Sequence, residues 1–71
     1  MESDSKIYKF IIFCLEHYRN FRHITAMQAL SLFRQTGVFQ YLIDGYEVLH
    51  TQGRDYIVAD IDDFINNHKI K

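Results

Sequence analysis

The sequence predicts an all-α protein, a compact bundle of three or four short helices, with an α+β fold built on a hairpin at Asp44-Gly45 as the alternative. Three observations carry that expectation. Apolar residues recur at helical spacing near both ends of the chain. A capping-box tetrad, Thr25-Ala26-Met27-Gln28, stands between two such stretches. Hydrophobic residues make up 48% of the chain against 24% charged, proline is absent and the net charge is −1, a balance that folds instead of staying disordered. At 71 residues there is room for a single small helical domain, residues 1–71.

The first helix is expected to start after Ser3-Asp4-Ser5, residues suited to an N-cap. Its stripe is Ile7, Ile11, Cys14, Leu15 and Tyr18. Phe10, Ile12 and Phe13 fall outside that stripe, so the middle of the helix is apolar almost all round, as in a helix that is central or covered by another subunit. Arg19, Arg22 and His23 follow in or after its last turn, where cations suit the negative end of the dipole.

The capping box places a second helix at roughly 26–36, with Met27, Leu30 and Phe33 beside Ala26 and Ala29 as its buried stripe and Thr36-Gly37 as its stop. The middle segment reads two ways. Val38–Ile43 and Tyr46–Thr51 flank Asp44-Gly45 as two strands flank a hairpin turn, with Tyr56-Ile57-Val58 available as a third strand. Taken as helix, Phe39, Leu42, Ile43, Tyr46 and Leu49 form one stripe interrupted by a glycine. The last segment, Asp55 to His68, is expected to be helical: Ile57, Ile61, Phe64 and Ile65 share a face, Asp55 comes early, and His68, Lys69 and Lys71 close the end.

One cysteine, Cys14, cannot form an intrachain disulfide, and Met1-Glu2-Ser3-Asp4 is acidic where a signal peptide is basic. The longest unbroken apolar run, Phe10–Leu15, is six residues, far short of a membrane span. A soluble, cytoplasmic protein with no membrane partner is expected.

The search for chemistry finds no catalytic set. Cys14 and His17 share a helix face, as a Cys–His nucleophile would, but a cysteine inside Phe10–Leu15 reads more simply as a small core residue. Cys14, His17, His23, His50 and His68 lack the clustered spacing of a zinc site. Asp60, Asp62 and Asp63 form an acidic run that reads as a solvated face, since general acid–base work needs one of them buried. No glycine-rich phosphate loop occurs. No enzyme activity, cofactor or metal is expected.

Two features bear on binding. His50-Thr51-Gln52-Gly53 lies between apolar segments, where it either presents side chains to a partner or caps and turns the helices beside it. Residues 1–36 carry five basic against three acidic side chains, a net +2, and residues 37–71 carry three against six, a net −3. The acidic half suits a basic protein surface. A helix-turn-helix reading, with Gln28, Arg34 and Gln35 approaching DNA, meets a thin phosphate footprint, because the basic residues are dispersed and the pI is about 6.4.

Ile11-Ile12-Phe13-Cys14-Leu15-Glu16, then Tyr46-Glu47-Val48-Leu49-His50-Thr51-Gln52-Gly53, then Tyr56-Ile57-Val58 with Asp60-Ile61, resembles a family of short bacterial proteins of unknown function. The resemblance spans most of the chain. It implies a small, predominantly helical protein, often encoded beside a gene for an ADP-ribosyltransferase-like protein, in an arrangement similar to a toxin–antitoxin pair. It also implies a kink or helix–helix turn at Asp44-Gly45. Family members are often acidic where this chain has Ala59.

The function expected is therefore a non-catalytic protein-binding module, an antitoxin-like partner neutralising a small enzyme from an adjacent gene. The contact candidates are Tyr46, His50, Gln52, Tyr56 and Asp60. A homodimer formed through the first helix is the nearest competitor, and a small DNA-binding regulator stands behind it.

Overall fold

Residues 2–68 are described by the computed structural model, as five helices: α1 (Glu2–Arg22), α2 (Ala26–Thr36), α3 (Val38–Asp44), α4 (Tyr46–Leu49) and α5 (Arg54–His68). There is no strand among the described residues, and the all-α expectation holds.

The first helix begins earlier than expected. It already includes residues 3–5, which were expected to precede it as its cap. Ser and Asp are tolerated there because first-turn N–H groups lack helical partners and the dipole favours acidic residues. The helix ends at His23, which adopts a left-handed backbone (φ 56) while Ile24 N–H donates to the Arg19 carbonyl at 3.0 Å. His23 thus turns the chain just after the last turn, which holds Arg19 and Arg22 as expected.

Phe10, Cys14 and Tyr18 form the buried line of α1, with Ile11 and Leu15 packed beside it. Phe10, expected outside the stripe, lies on its centre line, whereas Ile12 and Phe13 stay exposed. Residues four apart are only about 40° apart round a helix, so one ladder dominates the contact.

The capping box of α2 forms as expected. Thr25 Oγ1 accepts from Gln28 N–H at 3.0 Å, and Gln28 Oε1 accepts from Thr25 N–H at 2.9 Å. Ala29 and Phe33 are buried and Leu30 is half-buried, but Met27 and Ala26, expected in the core, are exposed. Met27 sits about 200° round the helix from Ala29, on the far side of the contact.

Gly37 ends α2 in the left-handed region (φ 83), its N–H donating to the Phe33 carbonyl. A Cβ there meets nothing within 4 Å, so alanine would suffer only from backbone conformation. Gly37→Ala is expected to lower stability by about 1–2 kcal/mol, measured by urea unfolding.

Asp44-Gly45 is a helix break and not a hairpin turn. Gly45 N–H donates to the Tyr41 carbonyl at 3.0 Å, closing α3, while the Gly45 carbonyl accepts from Leu49 N–H at 2.8 Å, opening α4. One residue therefore belongs to both helical turns. A Cβ on Gly45 would sit 3.1 Å from Leu49 Cδ1 and 3.2 Å from the Tyr41 carbonyl, which is why a glycine fits. The strand-favouring residues of this segment become helical because Val38, Leu42 and Leu49 share one face and bury against the core.

α5 buries Ile57, Val58, Ile61 and Ile65, with Phe64 half-buried. Lys69 and Lys71, expected to close its C-terminal end, lie outside the described residues. α1 packs on α2 and α5, and α3 lies against all three, so the core gathers Tyr18, Phe33, Leu42, Ile61 and Ile65 from four helices.

Candidate functional site

Two adjoining clefts run along one side of α1. In the first, of about 380 Å³, α1 contributes Lys6, Lys9 and Phe13 over the deeper Phe10. The opposite wall is Tyr46, His50 and Gln52, with Ile57 of α5 between the walls. The Tyr46 and Phe10 rings meet edge to face (centroids 5.4 Å apart, planes at 76°), and the His50 imidazole stacks on Tyr46 (4.3 Å, 9°). The spacing of four residues along α4 and its C-cap brings those two rings into register. His50 Nδ1 donates to the Tyr46 carbonyl at 2.6 Å, and Thr51 Oγ1 donates to the Val48 carbonyl at 2.7 Å. These two side chains cap α4 as the structural reading expects, although Thr51 closes one helix and does not open the next. The His50 ring also walls the cleft, so one residue does both.

The second cleft, of about 540 Å³, lies between His17, Asn20 and Phe21 of α1 and Arg54, Asp55, Val58 and Ala59 of α5. The Phe13 and His17 rings are 4.3 Å apart, one lining each cleft, and join the two. Arg54 and Asp55 lie 3.6 Å apart and offset each other's charge. Among the described side chains, the first cleft is lined by Lys6, Lys9 and His50 and by no carboxylate.

Of the five contact candidates, the structure brings Tyr46, His50 and Gln52 together. Tyr56 and Asp60 stand one turn apart on another side of α5, toward α3. Tyr56 is 57% exposed, whereas Asp60 is half-buried and accepts a 2.6 Å hydrogen bond from Tyr41 O–H. Tyr41 stacks on Phe64 (4.3 Å) and Phe64 on His68 (4.0 Å). Sequence reasoning missed Phe13, His17 and Phe21, although their spacing of four residues makes a second ladder on α1.

The acidic run is not a uniform solvated face. Asp62 Oδ1 accepts from Tyr18 O–H at 3.0 Å and from Arg22 at 2.8 Å, tying α1 to α5, and only Asp63 is exposed. Cys14 is fully buried, as expected of a core residue, and burial pushes its thiol up to about 12. No three His, Cys, Asp or Glu side chains converge among the described residues. Gln28 is engaged in the cap of α2, and Gln35 donates to Ser31 at 3.2 Å, while Arg34 is exposed. No described helix is long and apolar enough to cross a membrane.

Three groups hold their protons more tightly in the fold than in an unfolded chain. Burial, then the Asp62 hydrogen bond and charge, pushes Tyr18 up to about 12. The Asp60 hydrogen bond, then burial and the Asp60 charge, pushes Tyr41 up to about 12. With Cys14, all are raised, so their contribution is intact below the unfolded values of 9.0 for the thiol and 10.0 for the phenols and is lost as pH climbs toward 12. The urea midpoint is expected to fall steadily between those limits. Tyr18→Phe should flatten the fall, and an unchanged slope in that variant would remove Tyr18 from the account.

Fold and site together define a small all-α domain with an aromatic cleft, basic at one end. The family described as "Protein of unknown function (DUF3791)" matches residues 9–68, and the chain belongs to that family. No curated protein and no solved structure matches the chain. The matched residues include both cleft walls from Lys9 to Ile57 and leave Lys6 outside.

Proposed function

We propose that this chain is a protein-binding module without chemistry of its own, acting as the antitoxin-like partner that neutralises a small enzyme encoded beside it. The observation that carries the binding reading is the cleft beside α1. The fold completes its core with Phe10, Cys14 and Tyr18, yet leaves Phe13 40% exposed beside Tyr46 and His50, and Phe21 52% exposed in the adjoining cleft beside Arg54 and Val58. Exposed aromatic rings are enriched at the centre of protein contact surfaces, where a few anchors supply most of the energy, and the lysines, amide and imidazole around them suit a polar rim. The polar atoms of His50 and Thr51 facing α4 are already occupied by backbone carbonyls, which favours a holding role for that turn.

The antitoxin part of the reading rests on the resemblance and on its implied neighbour. Coexpression with the product of the adjacent gene is expected to yield a co-purifying complex and to restore growth to cells that the neighbour alone inhibits. Neither complex nor protection would overturn the proposal.

A further inference from the structure

We infer that the two clefts form one groove that docks an amphipathic helix of a partner, with the acidic end of that helix over Lys6 and Lys9. The inference rests on the protein-binding reading above and adds the chemistry of what is bound. Along α1 the groove runs from Lys6 to Phe21, about 22 Å at the helical rise, the length of a partner helix of about fifteen residues. Its apolar ladder, Phe13 and Phe21 with His17 between, repeats at nearly one helical turn, as the ridges of a docked helix do. An extended peptide lacks its usual template, because no strand edge exists among the described residues.

Charge fixes the direction. At one end stand Lys6, Lys9 and His50, with no carboxylate lining that cleft among the described side chains. At the other end Arg54 is matched by Asp55. A partner helix carrying glutamates at one end and neutral residues at the other is complementary in a single orientation.

The test uses the full chain, labelled with nitrogen-15, and a synthetic amphipathic peptide of about sixteen residues. The peptide carries a leucine and phenylalanine stripe and glutamates at one end. Expected are amide shifts at Phe13, His17, Phe21 and His50, with binding that weakens as salt is added. The double variant Lys6→Glu, Lys9→Glu should bind about tenfold more weakly, and a peptide with lysines in place of the glutamates should prefer that variant over the wild type. Shifts that map elsewhere, or a scrambled peptide that binds equally well, would overturn the inference. So would a concentration-dependent dimer in light scattering that buries Phe13 and blocks the peptide, since it would put a second copy in the groove.

A pull-down with the adjacent gene's product separates this inference from the reading beneath it. Phe13→Glu, checked for native circular dichroism, should lose the complex that the wild type forms. If the variant keeps it, the groove is not the docking site while the protein-binding reading stands. If the wild type itself captures nothing, that broader reading fails and the inference fails with it.

Discussion

Replacing Phe33 with alanine is expected to leave most of the protein unfolded at room temperature. Phe33 is fully buried and joins three helices: its ring lies 5.7 Å from Tyr18 of α1 and 5.6 Å from Phe39 of α3. Truncating a buried phenylalanine costs about 3–5 kcal/mol, the lost transfer energy plus the cavity left behind. A core of this size supplies about that much in total, without a disulfide to limit the unfolded chain. Phe33→Leu, which keeps most of the volume, should cost about 1 kcal/mol. Urea denaturation followed by circular dichroism measures both. An alanine variant within 1 kcal/mol of the wild type would mean, on the scale of core truncations, that α1, α2 and α3 do not meet at this ring.

The second large effect is expected at Asp62. Its carboxylate accepts from Tyr18 O–H and Arg22, so Asp62→Ala strands a phenol whose side chain is otherwise inside the core. The cost is expected to be about 2 kcal/mol, mostly the unsatisfied hydroxyl. Tyr18→Phe removes the donor and leaves Asp62 with Arg22 and water, for about 1 kcal/mol. Arg22→Ala should cost about 1 kcal/mol or less, because that ion pair is partly open to solvent and Asp62 keeps its bond from Tyr18. In the double variant Tyr18→Phe, Asp62→Ala the orphaned hydroxyl is gone, so its loss should be smaller than the sum of the two single losses. Strict additivity of the two substitutions would show that the hydrogen bond contributes nothing.

Much of the fold was legible because it is written in local chemistry. The Thr25–Gln28 box and the Thr36-Gly37 stop bracketed α2 to the residue. The Ile57, Ile61 and Ile65 ladder gave α5. The centre of each buried face was less legible. Phe10 moved into the core, while Met27 and Ile43 moved out of it. Helical periodicity fixes which residues share a face, but where an apolar helix is nearly apolar all round, several faces satisfy the pattern.

The site was legible in part for a related reason. Tyr46, His50 and Gln52 are close in sequence and stay close in the fold. Tyr56 and Asp60 follow soon after in the chain, yet α5 turns them toward α3, where Asp60 is engaged by Tyr41. The lysines and rings of α1 that complete the cleft are some 35–45 residues away in sequence, and no local rule joins them to α4.

By itself the sequence determined the helical class, the caps of α2 and the core ladder of α5, because spacing and capping act within a few residues. The tertiary structure chose the helix break that the resemblance implies at Asp44-Gly45 over the hairpin, and it alone decided that Asp62 anchors Tyr18 and that α1 forms an aromatic groove with α4 and α5. Those outcomes depend on burial and on contacts between distant segments, whose energies exceed the local preferences of the residues involved.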